Sequence, residues 1–230
     1  MIALITPTGA RPDQIKLCAH FMQRQDYSGE VLWIITDDCS PSTTEFIGPD
    51  FRQGWVIKKL HPKPYWKEGQ NTQGRNMSVA INECKKHILE AIFIIEDDDY
   101  YKPEYIRKTL EKLKGYDITG EKQTIYYNVT IQRWIENGND IWSSLFQTAF
   151  TPKIIPVIET LYTEKFIDFV LFRKVDCVNL FKENLSIGIK GQPGRSGIGA
   201  GHGWIQHMHP DPDGSMLQEL IGEDYKLYLK

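Results

Sequence analysis

The sequence predicts an α/β protein in which a mixed, mainly parallel sheet is flanked by helices within a single domain. Apolar runs at residues 2–5, 31–35 and 91–95 lack polar alternation, which is typical of parallel strands buried on both faces. Helical patterns at 12–22 and 76–87 separate these runs, so strands and helices alternate along the first half of the chain. No repeat, low-complexity tract or linker divides the sequence, so we expect one domain over residues 1–230.

The remaining elements follow from local signals. Pro12 suits the first position of a helix and Asp13 suits its positive end, so a helix is expected to begin there. A short strand is predicted at 55–57, and a further helix opens near Pro103. The second half is less regular, and its predicted elements are strands at 124–130 and 145–150, helices at 154–162, 167–181 and 215–222, and a loop at 190–203.

Composition narrows the class of protein. A chain of 230 residues that is 41% hydrophobic and 25% charged can bury a substantial core, and its net charge of −3 argues against a protein that coats polyanions non-specifically. The four cysteines form no CxxC pair, so free thiols in a reducing compartment are expected. No signal peptide or apolar run of about 20 residues is present. We therefore expect a soluble, cytoplasmic protein without a membrane anchor, in the host cytoplasm if the source is viral.

Polar clusters follow three of the predicted strands, at residues 6–11, 37–40 and 96–99. In open parallel sheets, ligands bind outside the carboxyl ends of the strands. Four consecutive acids, Glu96-Asp97-Asp98-Asp99, directly after five apolar residues repel one another and favour a bound cation. Hard oxygen ligands select Mg²⁺ or Mn²⁺, which in turn hold a diphosphate. The alternative is a solvated acidic turn.

Four motifs together carry a resemblance to a known family. They read ITPTGARP, IITDDCSP, NTQGRNMSVAINEC and IFIIEDDDYYKPEYI. In this order they resemble the strand ends and DXD motif of family 2-like glycosyltransferases of the GT-A fold, over roughly the first 180 residues. The resemblance implies that residues 1–120 bind a nucleotide-sugar and that residues 121–230 form the acceptor half.

The resemblance implies roles for individual residues. The residues expected to contact the nucleotide or donor are Thr6, Pro7, Arg11, Asp37, Asp38, Arg75, Asn76 and Asp97. The expected ligands of Mn²⁺ or Mg²⁺ are Asp97, Asp98 and Asp99. The register within the four acids is ambiguous, so the first ligand could equally be Glu96. Arg11 could instead be an ordinary solvated charge near a helix start.

A candidate catalytic base comes from the segment YTEKFIDFVLFRK, which resembles the "ED…R" segment of the family. In inverting relatives, a carboxylate of this segment deprotonates the acceptor hydroxyl. Asp168 is the first choice and Glu164 the second. The adjacent acid pair of the family pattern is absent here, so a solvated helix-start carboxylate stays an alternative and a retaining mechanism stays open.

The glycine-rich segment at 190–203 is expected to fold over a bound donor. Its six glycines cost conformational entropy unless the backbone must approach closely or adopt positive φ. Lys190, Arg195 and Ser196 are candidate donor contacts, and either cation could neutralise the diphosphate. By analogy with GT-A enzymes that supply a carboxy-terminal histidine, His202 is a candidate metal ligand. Its rivals are His207 and His209, and Trp204 could stack on a sugar or base.

The predicted function is transfer of a sugar from a nucleoside-diphosphate sugar, most simply a UDP-sugar, to an acceptor hydroxyl. The acceptor is unknown and could be a glycan or a hydroxymethylated pyrimidine in DNA, because the basic and aromatic stretch at 58–67 would suit a phosphate backbone. A nucleotidyltransferase is disfavoured because the first strand lacks a glycine- and lysine-rich phosphate loop. A non-catalytic sugar-binding module has little use for four packed acids.

Overall fold

The structure, a computed structural model, describes residues 1–195 and 205–229. The strands in these ranges are β1 (Ile2–Thr8), β2 (Val31–Asp37), β3 (Trp55–Leu60), β4 (Ile92–Ile94), β5 (Tyr100–Tyr101), β6 (Ile118–Glu121), β7 (Gln123–Asn128), β8 (Arg133–Gly138), β9 (Thr148–Phe150), β10 (Val178–Phe181), β11 (Ser186–Lys190) and β12 (His209–Pro210). The α-helices are α1 (Pro12–Gln23), α2 (Gln73–Cys84), α3 (Tyr105–Leu113), α4 (Ile155–Ile158), α5 (Ile167–Arg173) and α6 (Ser215–Ile221). Short 3₁₀ helices lie at Leu145–Gln147, Pro152–Ile154, Ile205–His207 and Gly222–Leu227.

The central sheet has the strand order β10-β6-β9-β4-β1-β2-β3 within the described ranges. Strand β1 pairs in parallel with β2 and β4, and β2 pairs in parallel with β3. Strand β9 runs antiparallel between β4 and β6. The prediction of a mixed, mainly parallel sheet in an α/β domain is confirmed.

Two apolar cores cover the two faces of this sheet, because successive side chains of a strand point to opposite faces. On one face, Leu4 packs in a cluster with Phe21 of α1 and Ile106 of α3. On the other face, Ile5 packs in a cluster with Met77 of α2 and, further along, Leu171 of α5. Strands buried on both sides explain why their sequences carry no polar alternation.

A second sheet pairs strands from the second half of the chain with β5, which lies in the first half. Its strand order is β12-β8-β7-β11-β5. Strand β5 directly follows the acidic run and pairs antiparallel with β11, with Ile187 opposite Tyr100. Strand β11 also pairs in parallel with β7, with Lys190 opposite Asn128. This double pairing places the carboxyl end of β11 beside the acidic run.

Several boundaries in the second half differ from the sequence prediction. Lys190 was expected in a loop but is the buried last residue of β11, because its side chain has carboxylate partners that a sequence pattern does not reveal. The helix predicted at 167–181 ends at Arg173, and residues after it form β10 against β6. Pairing with a sheet edge overrides helical periodicity there. The helix predicted at 154–162 is reduced to the four residues of α4.

Other predictions hold. The helix expected at 215–222 is α6, and Asp211 accepts hydrogen bonds from the backbone N–H groups of Met216 and Leu217 at its start. Each of the four cysteines, all of them in described segments, is a free thiol. In the described part of the chain, no helix is both long and apolar enough to cross a membrane.

Candidate active site

A cleft of about 780 Å³ opens where β1, β2 and β4 end. Parallel strands deliver their carboxyl ends to one edge of the sheet, so the polar clusters that follow them meet there. Its described lining residues are Pro7, Thr8, Gly9, Ala10, Arg11, Trp66, Glu68, Gly69, Gln70, Asn71, Gln73, Asn76, Glu96, Asp97, Asp98, Lys190, Gly194 and Arg195. The cleft is thus lined by both acids and cations.

Asp97 is held by side chains from the first strand end. Thr8 Oγ1 donates to Asp97 Oδ2 at 2.5 Å, and Arg11 Nη1 donates to Asp97 Oδ1 at 2.7 Å. The same Arg11 nitrogen lies 3.2 Å from Asp98 Oδ2. Both oxygens of Asp97 therefore have protein partners, and the predicted solvated role of Arg11 does not fit this arrangement.

A group of three carboxylates forms beside Asp97. Single oxygens of Glu96, Asp98 and Asp99 lie within 4.8 Å of one another. Asp99 Oδ2 is buried and has no hydrogen-bond partner among the described residues. Burial raises the pKa of Glu96 to about 7 and raises the pKa of Asp99 well above its usual value. A buried oxygen without a partner is costly, and an all-oxygen donor set is what Mg²⁺ and Mn²⁺ prefer, so these residues fit a divalent cation.

Lys190 lies against the far side of this carboxylate group. Its Nζ is 2.8 Å from Asp99 Oδ1 and 3.9 Å from Asp98 Oδ2. The backbone N–H of Ile189 donates to the same Asp99 oxygen at 2.9 Å. Burial alone would lower the pKa of Lys190, but the charges of Asp98, Asp99 and Glu96 raise it above its usual value. The ammonium therefore stays charged and compensates part of the acidic charge.

The two aspartates after β2 have different environments. Asp37 accepts hydrogen bonds from Cys39 N–H at 3.0 Å, Ser42 Oγ at 2.9 Å and Thr43 N–H at 2.6 Å, which fold the following loop around it. Neither Asp37 nor Asp38 is among the described lining residues of the cleft. Asp38 accepts from Arg75 Nη2 at 2.8 Å and from Thr72 Oγ1. Asp38 is therefore the aspartate of this pair that meets the groups around the cleft.

Glycine at position 9 is required by this packing. A Cβ at Gly9 would collide with Asp38 Oδ1. The neighbouring Asn76 donates from Nδ2 to the Thr8 carbonyl at 3.3 Å, which fixes the end of β1. Thr6, by contrast, accepts a hydrogen bond from Trp33 Nε1 at 2.9 Å and is fully buried, so its hydroxyl serves the core.

Residues 191–195, called the strap from here on, cross the mouth of the cleft. Gln14 Nε2 donates to the Pro193 carbonyl at 2.5 Å, and Arg11 Nε donates to the Arg195 carbonyl at 2.9 Å. Gln192 Nε2 donates to the Asp98 carbonyl at 2.7 Å. The Arg195 side chain reaches Asp38 and Thr72 rather than the acidic run.

Asp168 lies in the first turn of α5 and is half-buried. Burial raises its pKa, and its negative charge contributes to the raised pKa of both Glu96 and Tyr126. Lys190 Nζ lies 5.8 Å from the centre of the same Tyr126 ring. Glu164, the second candidate base, is exposed in the turn before α5.

The predicted histidine ligands are not brought to the carboxylate group where the structure describes them. His207 and His209 are exposed, and His209 packs on Trp134 with ring centres 4.9 Å apart. Neither is among the described lining residues of the cleft. Ser196, His202 and Trp204 lie outside the described residues.

Four contributors were not anticipated from the sequence. Thr8 and Thr72 bind buried aspartates, Gln73 Nε2 donates to Glu96 Oε1 at 2.6 Å, and Trp66 lines the cleft. The signal for Thr8 was its position as the last residue of β1, at the carboxyl edge of the sheet. The other three lie on or before α2, and only the tertiary structure brings them to the cleft.

The arrangement defines a class of protein: a single α/β domain of the GT-A fold, with an acidic group at the carboxyl edge of a mainly parallel sheet. The family described as glycosyl transferase family 2 has a sequence model that matches residues 3–173. The chain therefore belongs to glycosyl transferase family 2. Among curated proteins, no significant sequence match was found.

Solved structures of S. aureus TarS resemble the fold. One superposes with a TM-score of 0.61 at 15% identity, covering 82% of this chain and 36% of TarS. TarS 1–349 in complex with UDP gives 0.60 at 14% identity, covering 82% and 60%. TarS 1–349 in complex with UDP-GlcNAc gives 0.56 at 15% identity, covering 84% and 59%. The chain thus spans between about a third and three fifths of these proteins, and the likeness concerns the fold.

Proposed function

We propose that this chain is a metal-dependent glycosyltransferase that moves a sugar from a nucleoside-diphosphate sugar to an acceptor hydroxyl. The observation that carries the proposal is the carboxylate group of Glu96, Asp98 and Asp99, with its unpartnered buried oxygen, at the edge of the cleft. UDP is the favoured nucleotide because the related TarS 1–349 fold was solved with UDP and with UDP-GlcNAc.

Residues 1–120 supply the donor contacts in this proposal. Asp38 receives the base or ribose, next to Arg75 and Asn76, while Pro7 and Arg11 line the cleft. Mg²⁺ or Mn²⁺ held by Glu96, Asp98 and Asp99 would stabilise the negative charge that develops on the departing diphosphate. Arg11 and Lys190 hold the acids in place, because each forms an ion pair with a buried carboxylate of the run.

Residues 121–230 supply the acceptor side. We assign Asp168 as the general base, because its half-buried position raises its pKa, which favours proton uptake, and because its charge acts on Glu96. The bond between the anomeric carbon and the diphosphate oxygen breaks, the acceptor oxygen bonds to that carbon, and the acceptor proton moves to the Asp168 carboxylate. A base on the acceptor side is the requirement of an inverting transfer.

Two lysines of the stretch at 58–67, which suggested DNA as the acceptor, pair with carboxylates of the protein. Lys58 lies 3.7 Å from Glu83, and Lys59 lies 3.2 Å from Glu45. Trp66 at its end lines the donor cleft. Two of the four lysines in this stretch therefore already pair with carboxylates, and we propose a glycan hydroxyl as the acceptor, with a hydroxymethylated pyrimidine in DNA as the alternative.

Thermal unfolding with UDP-, GDP- and dTDP-sugars, each with and without Mn²⁺, tests the proposal. A donor present at a hundred times its dissociation constant stabilises the fold by about 2.7 kcal/mol. We expect metal-dependent stabilisation by a UDP-sugar that is lost in the double variant Glu96→Gln, Asp98→Asn. The exposed Asp13→Asn variant is the control and should keep the full shift. No shift with any donor, or an equal shift in the double variant, would overturn the proposal.

A further inference from the structure

The loop before α2 holds the ring of Trp66 in a fixed position. The Trp66 backbone N–H donates to the Asp38 carbonyl at 2.8 Å, and its indole Nε1 donates to the Gln70 carbonyl at 3.0 Å. Arg75 Nη1 donates to the Pro64 carbonyl at 2.7 Å, while its Nη2 donates to Asp38. The indole is therefore tied at its edge and at its backbone, with part of its surface left to line the cleft.

The Arg195 guanidinium occupies the space beside this ring. Its central carbon is 5.2 Å from the centre of the Trp66 ring, and Nη2 donates to Thr72 Oγ1 at 2.9 Å. Nη1 lies 3.5 Å from Asp38 Oδ1, and that buried oxygen has no hydrogen-bond partner in the described ranges. A planar group with N–H donors thus lies between an aromatic ring, a hydroxyl and a carboxylate oxygen.

The side chain and the backbone of Arg195 are held by separate contacts. Burial lowers its pKa, the attraction of Asp38 opposes that effect, and the nearby charges of Arg11 and Arg75 lower it further. Its backbone carbonyl is bound separately by Arg11 Nε. The side chain can therefore leave while the strap stays in position.

A uracil ring is planar like this guanidinium, and its N3–H can donate to Asp38 Oδ1, the oxygen that Arg195 approaches here. Aromatic side chains stack on any nucleobase, because every base has a π face. We propose that Trp66 is a donor-binding residue on which the donor's nucleobase stacks, in the space that the Arg195 side chain fills here and leaves when the donor binds. This inference rests on the proposed function, whose donor it places.

Calorimetric titration of UDP and of uridine into the full chain tests both parts. We expect Trp66→Ala and Trp66→Leu to weaken UDP binding by about 5- to 150-fold, the range found for loss of one base–aromatic stack. Trp66→Phe should stay within about threefold of the wild type, because it keeps a ring. Tyr65→Ala is the matched control, since Tyr65 is an exposed neighbour that is not among the described lining residues of the cleft.

Removal of the competing side chain should have the opposite effect. We expect Arg195→Ala to tighten the binding of uridine, which carries no phosphate for an arginine to contact. Unchanged UDP affinity in both Trp66→Ala and Trp66→Leu would overturn the stacking role while leaving the proposed function intact. Unchanged or weaker uridine binding in Arg195→Ala would overturn the displacement. A wild-type chain that binds no nucleotide would overturn the proposed function and this inference together.

Discussion

Two cations hold the acidic run from opposite sides, and their surroundings differ. Arg11 comes from the loop before α1, binds Asp97 at 2.7 Å and lines the cleft. Lys190 comes from the end of β11 and binds Asp99 at 2.8 Å, and Asp99 is not among the described lining residues of the cleft. On the Arg11 side both carboxylate oxygens of Asp97 have partners, whereas on the Lys190 side Asp99 Oδ2 has none within the described ranges.

Within this short run of acids, the partners of Asp97 fix its position, whereas the unpartnered oxygen of Asp99 is available to the proposed metal ion. Asp97 is fixed to the first half of the domain and has little capacity left for a metal ion. Asp99 Oδ2 has no hydrogen-bond partner among the described residues, and Asp99 is grouped with Glu96 and Asp98. The charge of Asp168 acts on Glu96 and on Tyr126, whose ring also lies near Lys190, so the proposed base belongs to the Lys190 side.

The largest expected effect comes from Asp168, on the Lys190 side. Asp168→Asn removes the proposed base, and loss of general base catalysis costs about 100- to 10,000-fold in rate. UDP release from the donor, measured with the acceptor that supports most turnover, should fall by that amount. UDP affinity should be retained, because the variant leaves the Arg11 side untouched.

Glu164→Gln is the matched control for this prediction. Glu164 is exposed in the turn before α5, so the variant should keep wild-type turnover. A loss of turnover in Glu164→Gln equal to that in Asp168→Asn would contradict the assignment of the base, and so would full activity of Asp168→Asn.

The two cations should differ in their contribution to stability. Lys190→Met leaves a buried carboxylate without its ion-pair partner, which costs about 3–5 kcal/mol of unfolding free energy. Arg11→Met should cost less, about 1–3 kcal/mol, because Asp97 lines the cleft, where water can hydrate it, whereas Asp99 is not among the described lining residues. Urea unfolding measures both. Added Mn²⁺ should restore more stability to Lys190→Met than to Arg11→Met.

Lys153→Met provides the reference for this pair. Lys153 is exposed and lies 3.1 Å from Asp117, so its loss should change stability by less than about 1 kcal/mol. If Lys190→Met proved as stable as Lys153→Met, the ion pair with Asp99 would not contribute to the free energy of unfolding. The expected difference between Lys190 and Arg11 would then be contradicted.

The last expected effect concerns how β11 is anchored and how stability depends on pH. Glu121 is fully buried and accepts hydrogen bonds from Leu185 N–H at 2.9 Å and Ser186 N–H at 3.1 Å, at the start of the strand that carries Lys190. Burial raises the pKa of Glu121 from its usual 4.5 to about 7, against the effect of these N–H donors. Its contribution to stability is therefore full below pH 4.5 and is lost as the pH rises through 7, by on the order of 1 kcal/mol per pKa unit.

Glu121→Gln should flatten the pH dependence whatever its absolute stability, because the amide does not titrate. Unfolding free energies measured between pH 5 and pH 8 should decline less steeply in the variant than in the wild type. Identical slopes would show that Glu121 does not titrate in this range.

The first half of the fold could be predicted because its strands are buried on both faces and leave continuous apolar runs. The acidic run, Asp38 and Arg11 could be placed at strand ends for the same reason, since each follows such a strand, and their roles in binding stay predictions. The hydrogen-bond and ion-pair partners of these residues could not be predicted from the sequence. Whether Asp97 or Glu96 joins a metal group depends on which carboxylates Thr8 and Arg11 occupy, and sequence order does not encode that choice.

The second half was harder because its structure depends on pairing between distant segments. Strand β10 exists because β6 offers it an edge, although its sequence also fits a helix. Lys190 was predicted to contact a ligand, and only the pairing of β11 with β5 shows that its first partner is Asp99. Long-range pairing of this kind leaves no local pattern.

The double pairing of β11 has a consequence for redesigning the domain. Its register against β5 and β7 sets the separation of Asp99 and Lys190, although the two residues are far apart along the chain. The distance between these two side chains therefore does not depend on how many residues separate them along the chain. Insertions in the exposed turn around Asp140 and Ile141 should reshape the acceptor half without moving the ion pair, which makes that turn a suitable place to graft new acceptor specificity.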